Sequence, residues 1–155
     1  MNYIYEFELF NDDNFILAFP FDFEGGTQGD SLQDVCSMAA DWLQTELEHR
    51  LMHDLEIPKP TFGNTPQHAD GRIVLISVQA DRDTIRKMSA ADAARTLGVS
   101  PGRVSQMIAT HQLEAFKDGH KTWVTEDSVK ARLAEAPKSG RPKKKPLESI
   151  ELVGA

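Results

Sequence analysis

The sequence predicts an α+β chain of two small domains followed by a basic tail. Apolar residues recur at every second position along 3–9, as in a half-buried strand, and fill every position along 15–19, as in a second, apolar strand. They then recur at every fourth residue between 35 and 51, as on an amphipathic helix. Small residues and a glycine within 89–110 are typical of two short helices joined by a tight turn. At 155 residues, the chain has room for one ordinary domain or two small ones.

The first predicted domain, residues 1–82, begins with a hairpin. YIYEFEL places the aromatic residues from Tyr3 onward on one side of a strand and Glu6 and Glu8 on the other. NDDN supplies the turn, because Asn and Asp bond to nearby backbone and tolerate unusual dihedral angles. FILAF then forms a second apolar strand that ends at Pro20.

A long helix and a closing strand complete this domain. A glycine-rich passage leads through a short third strand to Ser31, which can cap the helix with Asp34 as its reciprocal partner. Prolines end the helix, and RIVLISV (72–78) is predicted to be a buried strand. The predicted order is β-β-β-α-β. The helix should bury Val35, Ala39, Leu43, Leu47 and Leu51.

The two halves of the chain carry opposite charge. Residues 1–83 contain 4 Lys/Arg against 16 Asp/Glu, a net charge of −12. Residues 84–155 contain 13 Lys/Arg against 8 Asp/Glu, a net charge of +5, which gives −7 for the chain. This asymmetry indicates one part that meets nucleic acid and another that meets a basic partner. The alternative is two ordinarily solvated surfaces.

The sequence gives no sign of export or membrane insertion. Its first residues are acidic and alternating, unlike a signal peptide, and no apolar run approaches membrane length. The single cysteine, Cys36, permits no internal disulfide and is interpreted as a small buried side chain. We therefore expect a cytoplasmic protein without membrane contact.

The stretch MSAADAARTLGVSPGRVSQMI predicts a helix-turn-helix. Ser89 can cap the first helix, Gly98 supplies a turn with positive φ, and Ser100 caps the second helix with Pro101 at its first position. Such a second helix enters the major groove of DNA. An αα-hairpin in an unrelated domain is the alternative. Val99, Val104 and Ile108 should pack inward, and the predicted DNA contacts are Ser100, Arg103, Ser105, Gln106 and Thr110.

The next residues predict a strand, a turn at Gly119, a second strand and a capped helix from near Thr125. Together with the two helices, this pattern resembles the winged helix-turn-helix of the excisionase and MerR-like group over 88–135. Residues 83–87 would be the linker. The resemblance implies DNA contacts from the hairpin wing at Lys117, His120 and Lys121.

Residues 136–155 form the predicted basic, flexible tail. Its GRP sequence resembles the core of an AT-hook, which lies in a narrow A·T-rich minor groove, although Ser139 replaces the usual leading arginine. Arg141 and Lys143 are the predicted DNA contacts. Nonspecific attraction to phosphates is the alternative.

The first domain resembles the N-terminal domain of HicB-type antitoxins. The similarity covers about residues 1–80 and rests on TQGDS before the long helix and IPKP after it. The sequence differs at FDFEGG, where family members more often have an Asp-Leu-Pro-Gly type of turn. The resemblance implies a small, partial ribonuclease H-like fold and a basic HicA-like toxin, an mRNA-cleaving ribonuclease, as partner.

These observations together predict an antitoxin of a type II toxin-antitoxin system. It would neutralise the toxin and repress its own operon by binding double-stranded operator DNA as a homo-oligomer, a dimer or larger. One alternative is an orphan HicB-like transcriptional regulator without a toxin partner.

We expect no catalytic activity, cofactor or metal ion. A ribonuclease H-like site needs carboxylates that converge on Mg²⁺, and the spacing of Glu6, Asp22, Asp30 and Asp70 does not force convergence. A metal-dependent nuclease is nevertheless a second alternative. His49 and His53 have the i, i+4 spacing of metal ligands, but without a third ligand they are interpreted as a polar helix face.

Overall fold

The computed structural model describes residues 1–135. The predicted tail, 136–155, with its proposed contacts Arg141 and Lys143, lies outside the described residues. Within residues 1–135, four helices and two antiparallel sheets confirm the mixed α+β class. Among the helices of residues 1–135, none combines the length and apolar character needed to cross a bilayer.

The N-terminal unit, residues 2–79, is a four-stranded antiparallel sheet with one long helix against it. The sheet has the order β3-β2-β1-β4. Asp13 turns the predicted hairpin at a φ of 51°, a left-handed conformation that Asp tolerates better than most residues. The elements are β1 (Asn2–Asp12), β2 (Phe15–Pro20), β3 (Thr27–Gly29), α1 (Leu32–Met52) and β4 (Arg72–Gln79).

Helix α1 has the predicted apolar face. Four of the five expected residues are fully buried, and Leu51 is partly buried. Ser31 caps the helix by accepting a hydrogen bond from the backbone N–H of Asp34 at 3.1 Å. The Asp34 carboxylate accepts from the N–H of Asp30 at 2.8 Å rather than from Ser31, so the predicted reciprocal bond is displaced by one residue.

The outer face of the sheet differs from the prediction in two respects. Glu6 and Glu8 do point away from α1, but they are buried at 6% and 3% exposure, because the connection between α1 and β4 crosses this face. The strand that was predicted to be buried, 72–78, is buried on one face alone. Ile76 and Val78 face the core, whereas Leu75 lies opposite Glu6 on the outer face and is 62% exposed.

The C-terminal unit, residues 87–135, contains the predicted helices and hairpin and one unpredicted strand. Strand β5 pairs with β7, so its first residue, Lys87, belongs to a sheet rather than to a free linker. The sheet order is β5-β7-β6. The elements are β5 (Lys87–Ser89), α2 (Ala90–Leu97), α3 (Pro101–Ala109), β6 (Ala115–Asp118), β7 (Lys121–Thr125) and α4 (Glu126–Glu135).

This unit has a hydrophobic core of its own. Val104 is buried as predicted, whereas Val99 and Ile108 are only partly buried. Met107, which was not predicted to face inward, is 2% exposed and belongs to this core. The buried members of this core are Ala93, Ala94, Val104, Met107, Leu113, Val124 and Val129.

Candidate nucleic-acid interface

Helix α3 is fixed at its N-terminus by its local sequence. Gly98 adopts a φ of 66°, which ends α2 and turns the chain within two residues. The N–H of Val99 donates to the carbonyl of Ala94 at 3.0 Å. Ser100 then accepts from the backbone N–H of Arg103 at 3.1 Å, and Pro101 occupies the first helical position. The helix therefore begins at a defined residue.

The opposite face of α3 carries polar side chains. Because Val104 and Met107 are buried, the positions between them point away from the core. The five predicted contacts on this helix are all exposed: Ser100, Arg103, Ser105, Gln106 and Thr110.

Some of these exposed side chains bond to the backbone of α3, whereas others bond to each other. The Ser105 hydroxyl donates to the Pro101 carbonyl at 3.3 Å, and the Thr110 hydroxyl donates to the Gln106 carbonyl at 2.9 Å. Arg103 instead reaches along the surface, and its Nη1 donates to Gln106 Oε1 at 2.7 Å. Arg103 and Gln106 thus form one projecting pair.

This pair has the chemistry for reading a base edge. A glutamine amide recognises adenine by accepting from N6 and donating to N7. An amide oxygen has two acceptor sites, so Gln106 can keep its bond from Arg103 and still accept a second one. Arg103 retains other N–H donors for guanine or phosphate.

The β6–β7 hairpin presents the three contacts predicted for the wing. Gly119 turns it at a φ of 63°, and Lys117, His120 and Lys121 are all exposed. Lys121 Nζ lies 5.9 Å from the centre of the Trp123 ring, in the range of a cation–π contact. The side chain is thereby held against the hairpin while its ammonium group stays accessible.

Three of the four carboxylates considered for a nuclease site accept hydrogen bonds from other groups of the chain. Glu6 accepts from the N–H of Gly63 at 2.7 Å, Asp22 accepts from the hydroxyl of Thr61 at 2.7 Å, and Asp70 accepts from Asn11. These bonds fasten the α1–β4 connection to the sheet. Within residues 1–135, no group of three potential metal ligands includes Glu6, Asp22, Asp30 or Asp70.

Hydrogen bonding also shifts the ionisation of the buried carboxylates. The bond from the Gly63 N–H, with those from Asn64, lowers the pKa of Glu6. Burial on its own would raise the pKa of Glu8, but hydrogen bonds from His68 and Gln67 outweigh it and lower the pKa. Both groups are therefore structural anions.

Acid is expected to destabilise the N-terminal unit through these carboxyl groups. Glu6 and Glu8 have a lower pKa in the folded chain than their ordinary value of 4.5. Their contribution to the free energy of unfolding is therefore fully present above pH 4.5. It is lost as the pH falls through the lowered pKa of the folded chain. Urea unfolding between pH 7 and pH 3 measures this dependence.

The variant Glu6→Gln tests the assignment, because it removes one of the two buried carboxyl groups. The variant should have a lower free energy of unfolding at pH 7, and this free energy should depend less on pH below pH 4.5. Glu24→Gln, at an exposed glutamate, is the matched control. Equal acid dependence in both variants would contradict the anchoring role of Glu6.

No known protein family matches the chain, and no curated protein matches it at a significant level. Among solved structures, the chain is similar to one chain of a toxin-antitoxin complex from Streptococcus pneumoniae. The two are 18% identical, and their superposition has a TM-score of 0.47. The similarity covers 72% of this chain and 99% of that chain.

Proposed function

We propose that this protein is a DNA-binding antitoxin that represses its own operon. Helix α3 would enter the major groove, and the β6–β7 hairpin would act as a wing on the adjacent backbone. The N-terminal unit would bind a basic, HicA-like ribonuclease toxin of a type II system. The observation that carries the proposal is the exposed Arg103–Gln106 pair on a helix that is capped at one end and anchored on a core.

A homo-oligomer would give the DNA interface its specificity. Two copies of α3, placed by two-fold symmetry, would meet half-sites about one helical turn apart, which requires a palindromic operator. A single short helix reads only a few base pairs, so the second copy supplies the rest of the discrimination.

The toxin interface is proposed from charge. Residues 1–83 carry a net charge of −12, and complementary charge accelerates encounter and selects basic partners. Glu6 and Glu8 are buried and serve the fold, whereas nine carboxylates of this half are exposed. They are Asp12, Asp13, Glu24, Asp30, Asp41, Asp54, Glu56, Asp70 and Asp83.

Binding to the DNA upstream of its own reading frame tests the repressor role. The full-length chain should bind that duplex at least about 1,000-fold more tightly than a shuffled duplex of the same composition. The logarithm of the binding constant should also fall linearly with the logarithm of salt concentration. Equal affinity for the two duplexes would refute sequence-specific repression.

Co-expression with the adjacent genes separates the antitoxin from an orphan regulator. A small basic protein should co-purify with the full chain, and its toxicity should be suppressed. Operator binding without any such partner would favour the orphan regulator, which uses the N-terminal unit only to oligomerise.

Deletion of residues 136–155 is expected to weaken DNA binding almost equally on all duplexes. This segment contains five basic residues against two acidic ones, so it can supply several phosphate contacts. Each lost contact should reduce the slope of log K against log salt by about 0.9. Titrations of specific and shuffled duplexes at several salt concentrations measure the slope.

A full-length variant with neutral tail residues controls for chain length. It replaces Lys138, Arg141, Lys143, Lys144 and Lys145 with glutamine. It should show the same loss of DNA affinity and the same reduction in slope as the deletion. A loss confined to A·T-rich duplexes would contradict nonspecific attraction and favour the AT-hook interpretation.

A further inference from the structure

Three potential metal ligands meet where the two units touch. His49 and His53 lie one turn apart at the end of α1, and Glu114 lies just before β6. His53 Nε2 is 3.2 Å from Glu114 Oε1, and His49 Nδ1 is 3.6 Å from the same oxygen. The two imidazole ring centres are 4.6 Å apart. The fold thus brings in the third group that the local sequence around the histidines lacks.

We propose that His49, His53 and Glu114 bind a divalent transition-metal ion of the zinc type. Their ligand atoms all lie within 4.8 Å of one another. In a tetrahedral zinc site with bonds of about 2.0–2.2 Å, neighbouring ligand atoms are roughly 3.3–3.6 Å apart. The two N···O distances are close to this length, and the two imidazole nitrogens lie within 4.8 Å of each other. Binding an ion therefore requires the two imidazole rings to turn toward each other.

The chemistry of the three ligands indicates which class of metal ion they would bind. Two imidazole nitrogens and one carboxylate suit zinc and neighbouring transition metals, whereas Mg²⁺ and Ca²⁺ prefer oxygen ligands. All three side chains are partly exposed, which leaves space for a water molecule as the fourth ligand. Zinc sites with three protein ligands commonly have this arrangement.

The backbone around each ligand is well fixed. The N–H of His53 donates to the carbonyl of His49 at 3.2 Å, which keeps both residues in helical register. The carbonyl of Glu114 accepts from the N–H of Thr125 at 2.9 Å, which ties this residue to β7. A cation also benefits from the partial negative charge at the C-terminal end of α1. The ligands are therefore positioned before an ion arrives.

The surrounding groove adds negative charge. It is an open groove of about 540 Å³ between α1 and the C-terminal unit. Asp41, Glu48 and Asp127 line it together with Glu114, against one arginine, Arg86. Such an excess of carboxylates raises the local concentration of cations.

A metal ion here would join α1 to the segment that follows α3. The N–H of Gln112 donates to the carbonyl of Met107 at 2.8 Å, and Leu113 is buried in the C-terminal core. Glu114 is therefore connected rigidly to the end of α3. Occupancy of the site would fix the orientation of α3 relative to the N-terminal unit.

Zinc titration of the full-length, untagged and chelator-treated chain tests the site. Competition with a chromophoric chelator should show one Zn²⁺ per chain. His53→Ala and Glu114→Gln should each weaken binding at least about tenfold, because even loss of an outer-shell partner costs roughly 10–100-fold. Co²⁺ should give the strong visible absorption of a tetrahedral site. Zinc at 100 times its Kd should raise the melting temperature by roughly 5–10 °C.

The chain contains a matched histidine control. His120→Ala removes an exposed histidine on the β6–β7 hairpin, outside the cluster, and should leave the zinc affinity unchanged. Equal affinity in Glu114→Gln and the parent chain would overturn the site between the units and leave only a histidine pair on a helix surface. No binding by the parent chain would overturn the proposal entirely, leaving Glu114 as a hydrogen-bond partner of the histidines. Circular dichroism confirms that each variant is folded.

Discussion

Replacing Phe7 with alanine is expected to lower the free energy of unfolding by about 3–5 kcal/mol. Phe7 is fully buried on β1, the strand that pairs with both β2 and β4. Its ring packs edge-to-face against Trp42 of α1, with the ring centres 6.1 Å apart. Removing the ring leaves a cavity between the sheet and the helix, which neighbouring backbone held by two strand partners cannot close.

Urea unfolding followed by tryptophan fluorescence measures this loss. Trp42 reports on the N-terminal unit and Trp123 on the C-terminal unit, so a Trp123→Phe background isolates the first signal. Phe19→Ala is the matched control. Its ring is 42% exposed on the outer face of the sheet, where it stacks on Phe10. Phe19→Ala should lower the free energy of unfolding by less than about 1.5 kcal/mol. Equal losses in the two variants would show that Phe7 does not form the centre of this core.

Local sequence patterns predict the elements whose structure is decided locally. The four-residue period from Val35 to Leu47 defines the buried face of α1, because that period returns to the same side of a helix. Alternation predicts β1 for the same reason, and a short apolar run bounded by turn residues predicts β2. Ser31 and Ser100 mark helix starts because their bonds span only three residues. These features require no knowledge of distant parts of the chain.

Distant contacts decide the features that the sequence analysis missed. Strand β5 has three residues, too few for a pattern of its own, and it exists because β7 offers it a partner. Glu6 and Glu8 have the polarity of a solvated face, yet a connection nearly sixty residues further along covers them. Its backbone N–H groups provide the bonds that make burial of the two carboxylates tolerable.

In the candidate sites too, local sequence decides some features and distant contacts decide others. The exposed face of α3 could be predicted from Val104, an apolar residue between polar neighbours that packs against the core. The bond between Arg103 and Gln106 depends on rotamers, which sequence spacing allows but does not specify. Glu114 is 61 residues from His53, so nothing local to α1 could indicate it as a third ligand.

Replacing Gln106 with alanine is expected to weaken operator binding by about 1–3 kcal/mol, roughly 5- to 150-fold. The loss of affinity should be seen with the operator duplex and not with the shuffled one. An amide that reads a base edge contributes little to the affinity for a shuffled sequence. Arg103→Ala should weaken binding to both duplexes, since it also removes a charge that can contact phosphate. Fluorescence anisotropy with both duplexes at one salt concentration measures the two effects.

The hydrogen bond between these residues makes their effects interdependent. If Arg103 orients the Gln106 amide through the 2.7 Å bond, the double variant should lose less affinity than the sum of the two single losses. Lys130→Ala is the matched control, because it removes the same charge from an exposed position on α4. Additive losses would mean that the two side chains act separately on the DNA. A loss as large in Lys130→Ala as in Arg103→Ala would mean that net charge, rather than the face of α3, determines binding.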